Sequence, residues 1–259
     1  MRLLLRTLSL FCTGLLAASS HAQPGPAAAP PFTPADALRA LFDVEGNTPY
    51  ASPYTGTLQF SALASKFDSG HGHGYRNEMK VADRQRRSVA RTHEHFAAQV
   101  TPALPDGAKT IVAQYHVDGL DTILKLYLQD TADRKGLDGK AGNGIFDILV
   151  RITGTDGKEA TTALGTVRSG DSFWLDIDVA NGEALVAVRT DANGSIATAR
   201  TRLKGETRNI YFKFGDYLQA LDAATEEHTT VAAKWDDYYR LKHIDSSRIT
   251  FSHTRFVRD

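Results

Sequence analysis

The chain has 259 residues, of which 42% are apolar and 23% charged, a composition typical of globular proteins and not of disordered or fibrous ones. Its 30 Lys and Arg balance 30 Asp and Glu, so no basic excess supports nucleic-acid binding, and we expect no nucleic-acid partner. A single cysteine excludes a disulfide-stapled scaffold and a cysteine-rich zinc module.

The N-terminus is typical of a secretory signal peptide. Two arginines precede a short apolar stretch, residues 8–18, and Ser20-His21-Ala22 brings small residues to the positions before a cleavage site. The apolar stretch is too short for a membrane-spanning helix. We therefore predict a signal peptide over residues 1–22 with cleavage after Ala22. The mature protein would be secreted or periplasmic, with no membrane association after cleavage.

A Pro- and Ala-rich linker, residues 23–34, follows, and its composition favours an extended chain. The sequence Thr33-Pro34-Ala35-Asp36 then resembles a helix N-cap with proline at the first helical position. A short N-terminal helix is predicted because the next apolar residues share one helical face: Ala37, Leu38, Leu41 and Phe42. We assign residues 35–259 to a single domain.

The rest of the chain shows a β pattern, with short alternating segments between turn signals. The eleven predicted strands are 58–63, 75–81, 88–100, 110–117, 122–129, 146–153, 173–179, 184–190, 196–203, 209–217 and 248–257. Hairpin turns are predicted at Pro105-Asp106-Gly107, Asp156-Gly157 and Asn193-Gly194. Many strands with one minor helix predict an all-β fold: a β-jelly-roll, concanavalin-like sandwich of two antiparallel sheets.

Residues 220–246 break this rhythm, since they contain helix formers and three large aromatics, Trp235, Tyr238 and Tyr239. The segment either caps an end of the sandwich or forms an insertion over a cleft. The sequence leaves both open.

Three of the predicted strands place several polar, reactive side chains on one face. With a period of two, the shared faces hold Arg76, Glu78 and Lys80 in the first; Gln114 and His116 in the second; and Tyr211, Lys213, Tyr217 and Gln219 in the third. Each set alone is explained by a solvated strand face or a structural side chain. Together, cations, an amide, an imidazole and phenols suit a groove for an anionic, hydroxyl-rich polymer. Gly215, inside the third strand, indicates a bulge or a close approach of a ligand.

These strands resemble the three motifs of the alginate lyases of polysaccharide lyase family 7. The family motifs are Arg-Thr/Ser-Glu-Leu/Val-Arg, Gln-Ile/Val-His and Tyr-Phe-Lys-Ala-Gly-Val/Ile-Tyr-Asn-Gln. Residues 211–219 keep six of the third motif's residues at the same spacing, and 114–116 matches the second with Tyr115 at the variable place. Residues 76–80 are a looser match to the first. The resemblance spans roughly residues 55–257 and implies a β-jelly-roll lyase.

The resemblance implies cleavage of a polyuronate, alginate before others, by β-elimination to unsaturated oligouronates. Arg76 and Gln114 would neutralise the carboxylate beside the abstracted proton. His116 fits the base and Tyr217 the acid, or Tyr217 fills both roles. Six residues are expected to bind the anionic polysaccharide: Glu78, Lys80, Lys125, Tyr211, Lys213 and Gln219. The chemistry requires no metal or other cofactor, and we expect a monomer.

Other functions stay open at this point. A glucuronan lyase on the same scaffold and a non-catalytic carbohydrate-binding jelly roll both fit the groove. A binding module, however, needs neither an acid nor a base. A glycoside hydrolase is disfavoured because it requires two carboxylates flanking the bond, and Glu78 is the only acidic residue on the three shared faces.

Overall fold

The computed structural model describes residues 32–52, 54–131, 133–190 and 194–259. The predicted signal peptide and most of the predicted linker lie outside these ranges. So does part of the predicted Asn193-Gly194 turn. No helix among the described residues is long and apolar enough to cross a membrane.

Short helices and many strands make up the described chain. The α-helices are α1 (Ala35–Leu41), α2 (Ala62–Ser65) and α3 (Ala232–Leu241). The strands are β1 (Phe42–Glu45), β2 (Tyr50–Ala51), β3 (Leu58–Phe60), β4 (Arg76–Val81), β5 (Arg87–Ser88), β6 (His93–Ala103), β7 (Lys109–Val117), β8 (Thr122–Gln129), β9 (Ile145–Thr153), β10 (Glu159–Arg168), β11 (Phe173–Ala180), β12 (Glu183–Thr190), β13 (Ile196–Arg202), β14 (Asn209–Leu218) and β15 (Arg248–Arg258).

The strands form two antiparallel sheets. The first sheet has the order β1-β4-β14-β7-β8-β9-β10, with β5 paired to β14. The second sheet has the order β13-β12-β11-β6-β15-β3-β2. Neighbours in each sheet are often distant in sequence, as in a jelly roll, and the predicted all-β sandwich with a short N-terminal helix is confirmed.

An aromatic core between the sheets determines which way β14 faces. Phe212 and Phe214 are fully buried, and the ring centroid of Phe96 in the second sheet lies 4.9 Å from each of theirs. Because strand side chains alternate between faces, the burial of these two phenylalanines turns Tyr211 and Lys213 to the outward face of the first sheet. The core therefore directs these polar residues of the third motif to the side of the sheet that faces away from the second sheet.

Tyr115, at the variable place of the second motif, faces inward and is fully buried. Its ring centroid lies 4.8 Å from that of Phe212, and its hydroxyl donates a 2.9 Å hydrogen bond to Glu94 of β6. Arg258 of β15 donates from Nε to the same carboxylate over 2.8 Å. Burial, followed by the charge of Glu94, raises the pKa of Tyr115 well above its ordinary value. Tyr115 thus ties the middle of β7 to the second sheet.

Several predicted connections differ from the observed ones. Pro105-Asp106-Gly107 is not a hairpin turn: it joins β6 of the second sheet to β7 of the first. Asp156-Gly157 does connect paired strands, β9 and β10, although β10 itself was not predicted because its first half is polar and exposed. The start of predicted strand 88–100 contains a 3₁₀ turn, Val89–Arg91.

The predicted N-cap at Thr33 is also wrong. Pro34 occupies the cap of α1 without a side-chain hydrogen bond. The Thr33 hydroxyl instead accepts a 2.9 Å hydrogen bond from the backbone N–H of Phe256. The residue thus fastens the incoming chain to β15.

The aromatics of residues 220–246 pack against the ends of strands in the first sheet. Trp235 of α3 is fully buried, with its ring centroid 5.3 Å from that of Tyr75, just before β4. The Tyr239 hydroxyl donates a 2.8 Å hydrogen bond to the carbonyl of Leu218, the last residue of β14. Both alternatives are realised: α3 caps the sandwich, and residues of the same segment line a cavity beside the first sheet. The loop before α3 reaches the polar face, where the ring centroids of His228 and His73 are 4.8 Å apart.

Gly215 marks a close approach of two strands. Its φ is +151°, and a Cβ there would lie 2.7 Å from the Glu78 Cα and closer still to the Asn77 carbonyl oxygen.

We expect Gly215→Ala to lower the free energy of unfolding by about 3 kcal/mol or more, because the added Cβ would combine backbone strain with overlap of these atoms. Urea unfolding measures the loss. Gly170→Ala is the control, since its φ is also positive but no atom lies within 4 Å of the added Cβ. Equal losses of unfolding free energy in both variants would show that overlap with β4 is not the cause.

Candidate active site

The outward face of the first sheet collects the polar residues of all three motifs. Lys213 of β14 lies opposite Lys80 of β4 and opposite Gln114 of β7. Gln114 in turn lies opposite Lys125 of β8. Directly opposed residues in neighbouring strands point to the same side of a sheet, so the register places these side chains in one row. We call the outward side of β4, β14, β7 and β8 the groove face.

Glu78 lies beneath this row and is fully buried. Its Oε1 accepts a 2.6 Å hydrogen bond from Nε2 of Gln114. Its Oε2 lies 3.4 Å from the Lys213 ammonium and 3.7 Å from Nη1 of Arg76. The motif predicted that Glu78 contacts substrate, but its side chain has no exposed surface. It positions the amide and the two cations.

Glu45 of β1 is a second carboxylate, which none of the three sequence motifs includes. Its oxygens lie 2.6 Å from the Lys213 ammonium, 3.3 Å from that of Lys80 and 3.7 Å from Nη1 of Arg76. Burial acts to raise the pKa of Glu45, but Lys213 and the other two cations outweigh it and lower the pKa below its ordinary value. The alternation of Phe42 and Val44 with acidic residues is the signal that could have revealed this strand.

Arg76 and Tyr217 form a stacked pair, since the guanidinium carbon lies 3.9 Å from the Tyr217 ring centroid. The Tyr217 oxygen accepts a 2.8 Å hydrogen bond from the backbone N–H of His73. A Cβ on Gly72 would lie 2.6 Å from Nη2 of Arg76 and 3.2 Å from the Tyr217 hydroxyl, so a side chain there would have to displace the guanidinium. Burial lowers the pKa of Arg76, but Glu78 and its other neighbours raise it further, and the guanidinium stays charged.

His116 lies at the other end of the groove face. Its ring stacks on that of Tyr211, with centroids 5.0 Å apart and planes 6° from parallel. Burial, followed by the positive charges of Lys213 and Arg76, lowers the pKa of His116 to about 3. The imidazole is therefore neutral at any pH at which the protein would work, and a lone pair is present on one ring nitrogen.

A chain of hydrogen bonds fixes which nitrogen carries the proton. The Gln114 amide nitrogen donates to Glu78, so its oxygen is the group that faces His116 Nε2, at 3.2 Å. An amide oxygen can only accept, so Nε2 carries the hydrogen. Nδ1 is then the nitrogen with the lone pair; the Thr122 hydroxyl lies 3.2 Å from both ring nitrogens.

The remaining predicted residues lie on or beside the same face. The Lys125 ammonium is 3.2 Å from a carboxylate oxygen of Glu159 in β10. Gln219 follows β14 and donates a 3.2 Å hydrogen bond from Nε2 to the carbonyl of Tyr217. The Tyr217 ring also packs in a small apolar cluster with Ile111, Tyr127 and Leu149. The structure thus brings every predicted site residue to one region, with apolar surface beside the charged row.

This arrangement can bind a polyanion and move a proton. Around Glu45 and Glu78, three cations, Arg76, Lys80 and Lys213, face two carboxylates, which leaves an excess of positive charge. A neutral imidazole and a phenol lie on either side of this centre. Among the described residues, no cluster of three or more His, Cys, Asp or Glu is arranged to hold a metal.

Comparisons with known proteins identify relatives of the whole sandwich. A model of the alginate lyase family matches residues 34–254. Among solved structures, an alginate lyase from Alteromonas sp. 272 is 31% identical with a TM-score of 0.78, and the match covers 88% of this chain and 99% of that one. A polysaccharide lyase of family 18, aly-SJ02, is 31% identical with a TM-score of 0.75, over 85% and 96% of the two chains.

More distant structures share the fold alone. The exolytic family 7 alginate lyase AlyA5 from Zobellia galactanivorans is 10% identical with a TM-score of 0.56, over 84% of this chain and 87% of that one. A search of curated proteins gave no match.

The His116 imidazole is expected to stay neutral across the working pH range. Its NMR signals, assigned by their loss in His116→Gln, should not titrate between pH 8 and pH 4.5, since its pKa is near 3. An unfolded chain takes up this proton near the ordinary pKa of 6.5, so His116 contributes stability above pH 6.5 that is lost as the pH falls towards 3. A titration midpoint near 6.5 in the folded protein would show the burial argument to be wrong.

Proposed function

Because this chain belongs to the alginate lyase family and is a polysaccharide lyase that acts on alginate, we propose that Arg76, Gln114, His116 and Tyr217 are its catalytic residues. One observation supports this most: a single sheet face holds a cation and an amide that can bind a carboxylate, together with two groups that can exchange protons. Fold likeness alone would not assign these roles.

The reaction removes the proton on C5 of a uronate and expels the oxygen on C4. The electron pair of the C5–H bond forms the C4–C5 double bond while the C4–O bond breaks. The adjacent carboxylate opposes proton removal until its charge is neutralised. Gln114 has one amide hydrogen bound to Glu78 and a second hydrogen free. Arg76 makes only long ion pairs, at 3.7 Å to Glu45 and to Glu78, so its guanidinium too retains donors for a substrate carboxylate.

The proton transfers fall to His116 and Tyr217. Neutral His116 has the lone pair that a base requires, and Tyr217 has the hydroxyl proton that the leaving oxygen needs. The backbone N–H of His73 supports the Tyr217 oxygen when it loses that proton. The same support would let Tyr217 act as the base as well, for a C5 proton on the side of the leaving group.

Substrate contacts divide by exposure. Lys80, Lys125 and Tyr211 are partly exposed on the groove face and fit contacts with neighbouring sugars. The Lys213 ammonium is held by two carboxylates, those of Glu45 and Glu78, so we assign Lys213, with Glu78, to positioning the catalytic groups. Gln219 lines a cavity at the end of β14 and keeps a role in binding.

Tyr217→Phe tests the chemical assignment. We expect polymer binding to persist and turnover to fall by a factor of about 100 or more, as the loss of a general acid or base implies. Turnover is followed as absorbance of the conjugated double bond on polymannuronate, polyguluronate and glucuronan separately. Tyr54→Phe, an exposed phenol distant in sequence, is the control. Wild-type turnover in Tyr217→Phe would exclude the role. No absorbance from the wild-type protein on any polymer would favour a binding module.

We also propose that residues 1–22 are a signal peptide and that the exported protein is a monomer. The charged start, short apolar stretch and small residues before Ala22 support export. Expression of the full chain in a bacterial host should give a secreted or periplasmic product whose mass begins at Gln23, and which elutes as one chain on a sizing column. An intact N-terminus in the cytoplasm would exclude the signal peptide.

A further inference from the structure

A cavity of about 330 Å³ lies beside Gln219, which follows β14, between the groove face and the loops that precede and follow α3. Its lining includes Lys109, Gln129, Gln219 and His228. Its volume is at the lower end of the range for ligand sites. The motifs do not include Lys109, Gln129 or His228, so the proposed catalytic roles leave this space unexplained.

Lys109 is the cation that this cavity exposes on the strand carrying Gln114 and His116. It begins β7 and lies opposite Gln129 of β8, two positions before Ile111 of the apolar cluster. Its ammonium lies 4.9 Å from the Tyr127 ring centroid. The guanidinium of Arg151 in β9 lies 5.0 Å from the same centroid. Two cations therefore flank one aromatic ring.

Lys109 differs from the other cations of the groove face in its lack of a counter-ion. Arg76, Lys80 and Lys213 pair with Glu45, and Lys125 and Arg151 pair with Glu159. Among the described residues, no carboxylate lies within ion-pair distance of the Lys109 ammonium, and no hydrogen bond satisfies it. A half-buried cation without a partner is costly unless an anion arrives.

The charges closest in effect to Lys109 are mostly positive: Arg151 of β9, Arg134 of the loop after β8 and Lys125 of β8, against Asp133 of that loop. The Tyr127 ring lies beside the ammonium. The other charged and titratable groups of the cavity wall are Asp106, Glu226, His228, Tyr238 and Lys242. Burial first, and then Arg151 and Arg134, lower the pKa of Lys109 to about 8. A bound carboxylate would reverse this effect, so binding and protonation favour each other.

We infer that this cavity is a binding site for one uronate unit of the polymer, with Lys109 as the ligand of its carboxylate and Gln129 and Gln219 beside its ring. The inference rests on the proposed function and extends it, since it names where a sugar next to the cleaved bond is held. The sugar's carboxylate supplies the missing counter-ion, and its hydroxyls meet the amides of Gln129 and Gln219.

The test separates binding from chemistry by using the Tyr217→Phe protein, which binds but turns over slowly. Calorimetry compares Tyr217→Phe with Tyr217→Phe/Lys109→Met, with mannuronate and guluronate tetramers as probes and neutral mannotetraose as the uncharged probe. We expect Lys109→Met to raise Kd for at least one uronate tetramer by about tenfold or more, as expected for the loss of a charge-assisted contact. Binding of mannotetraose should not change.

Two further variants make the result specific. Arg189→Met removes the same charge from an exposed position on β12 of the second sheet and should leave Kd within about twofold. Lys109→Arg keeps the charge but does not titrate in this range. Wild-type Lys109 should bind more weakly as the pH rises above about 8, and Lys109→Arg should not.

The outcomes distinguish this inference from the proposed function. An unchanged Kd in the Lys109→Met protein would overturn the inference while the lyase activity of the wild-type protein stood. So would equal losses in Lys109→Met and Arg189→Met, because the effect would then be one of overall charge. A wild-type protein that binds the tetramers but forms no unsaturated product would instead refute the proposed function. In the active protein, Lys109→Met should raise KM more than it lowers kcat.

Discussion

Two carboxylates beneath the groove face, Glu45 and Glu78, are the constraint on which the site depends. Without them, the closely placed cations Arg76, Lys80 and Lys213 would repel one another in a partly buried setting. Burying charge is costly unless each charged group is paired and hydrogen-bonded. The carboxylates neutralise most of the positive charge and fix the cations, and the remaining excess is available to a polyanion. Their function is to hold the binding groups in place before the substrate arrives, so that little reorganisation is needed.

The sandwich holds this network rigidly from behind. Phe212 and Phe214 of β14 pack against the second sheet. The intervening Lys213 therefore points to the opposite face of its own sheet. Tyr115 does the same for β7, because its hydroxyl reaches Glu94 on the opposite sheet, where Arg258 completes the pairing. The variable place of the second motif therefore faces the core and not the sugar. A change at this position can alter the site only by moving the strand that carries its two polar neighbours.

The sequence predicted the parts of this arrangement that depend on local periodicity. Alternation placed Tyr211, Lys213 and Tyr217 on one face, and the observed register agrees. The sequence did not predict which strands that are distant along the chain pair with each other. Glu45 lies in a short strand whose partner, β4, is more than thirty residues away, and no local pattern shows that its carboxylate meets Lys213. Turn residues at Pro105-Asp106-Gly107 indicated a turn correctly, but turn chemistry does not tell which sheet the next strand joins. Likewise, the lack of a partner for Lys109 is a property of the packed structure alone.

On the proposed roles, Gln114 couples substrate recognition to the strength of the base. Its amide nitrogen is anchored by Glu78 and retains one hydrogen for a substrate carboxylate, while its oxygen accepts from His116 Nε2. A carboxylate that draws on the free amide hydrogen increases the negative charge on the amide oxygen, since hydrogen bonds in a chain polarise one another. A more negative oxygen strengthens the bond to Nε2–H and makes Nδ1 more basic. An imidazole kept neutral by burial and by nearby cations is a weak base in the empty site. It gains basicity when the anionic substrate offsets those cations, so proton abstraction is favoured where a uronate is bound.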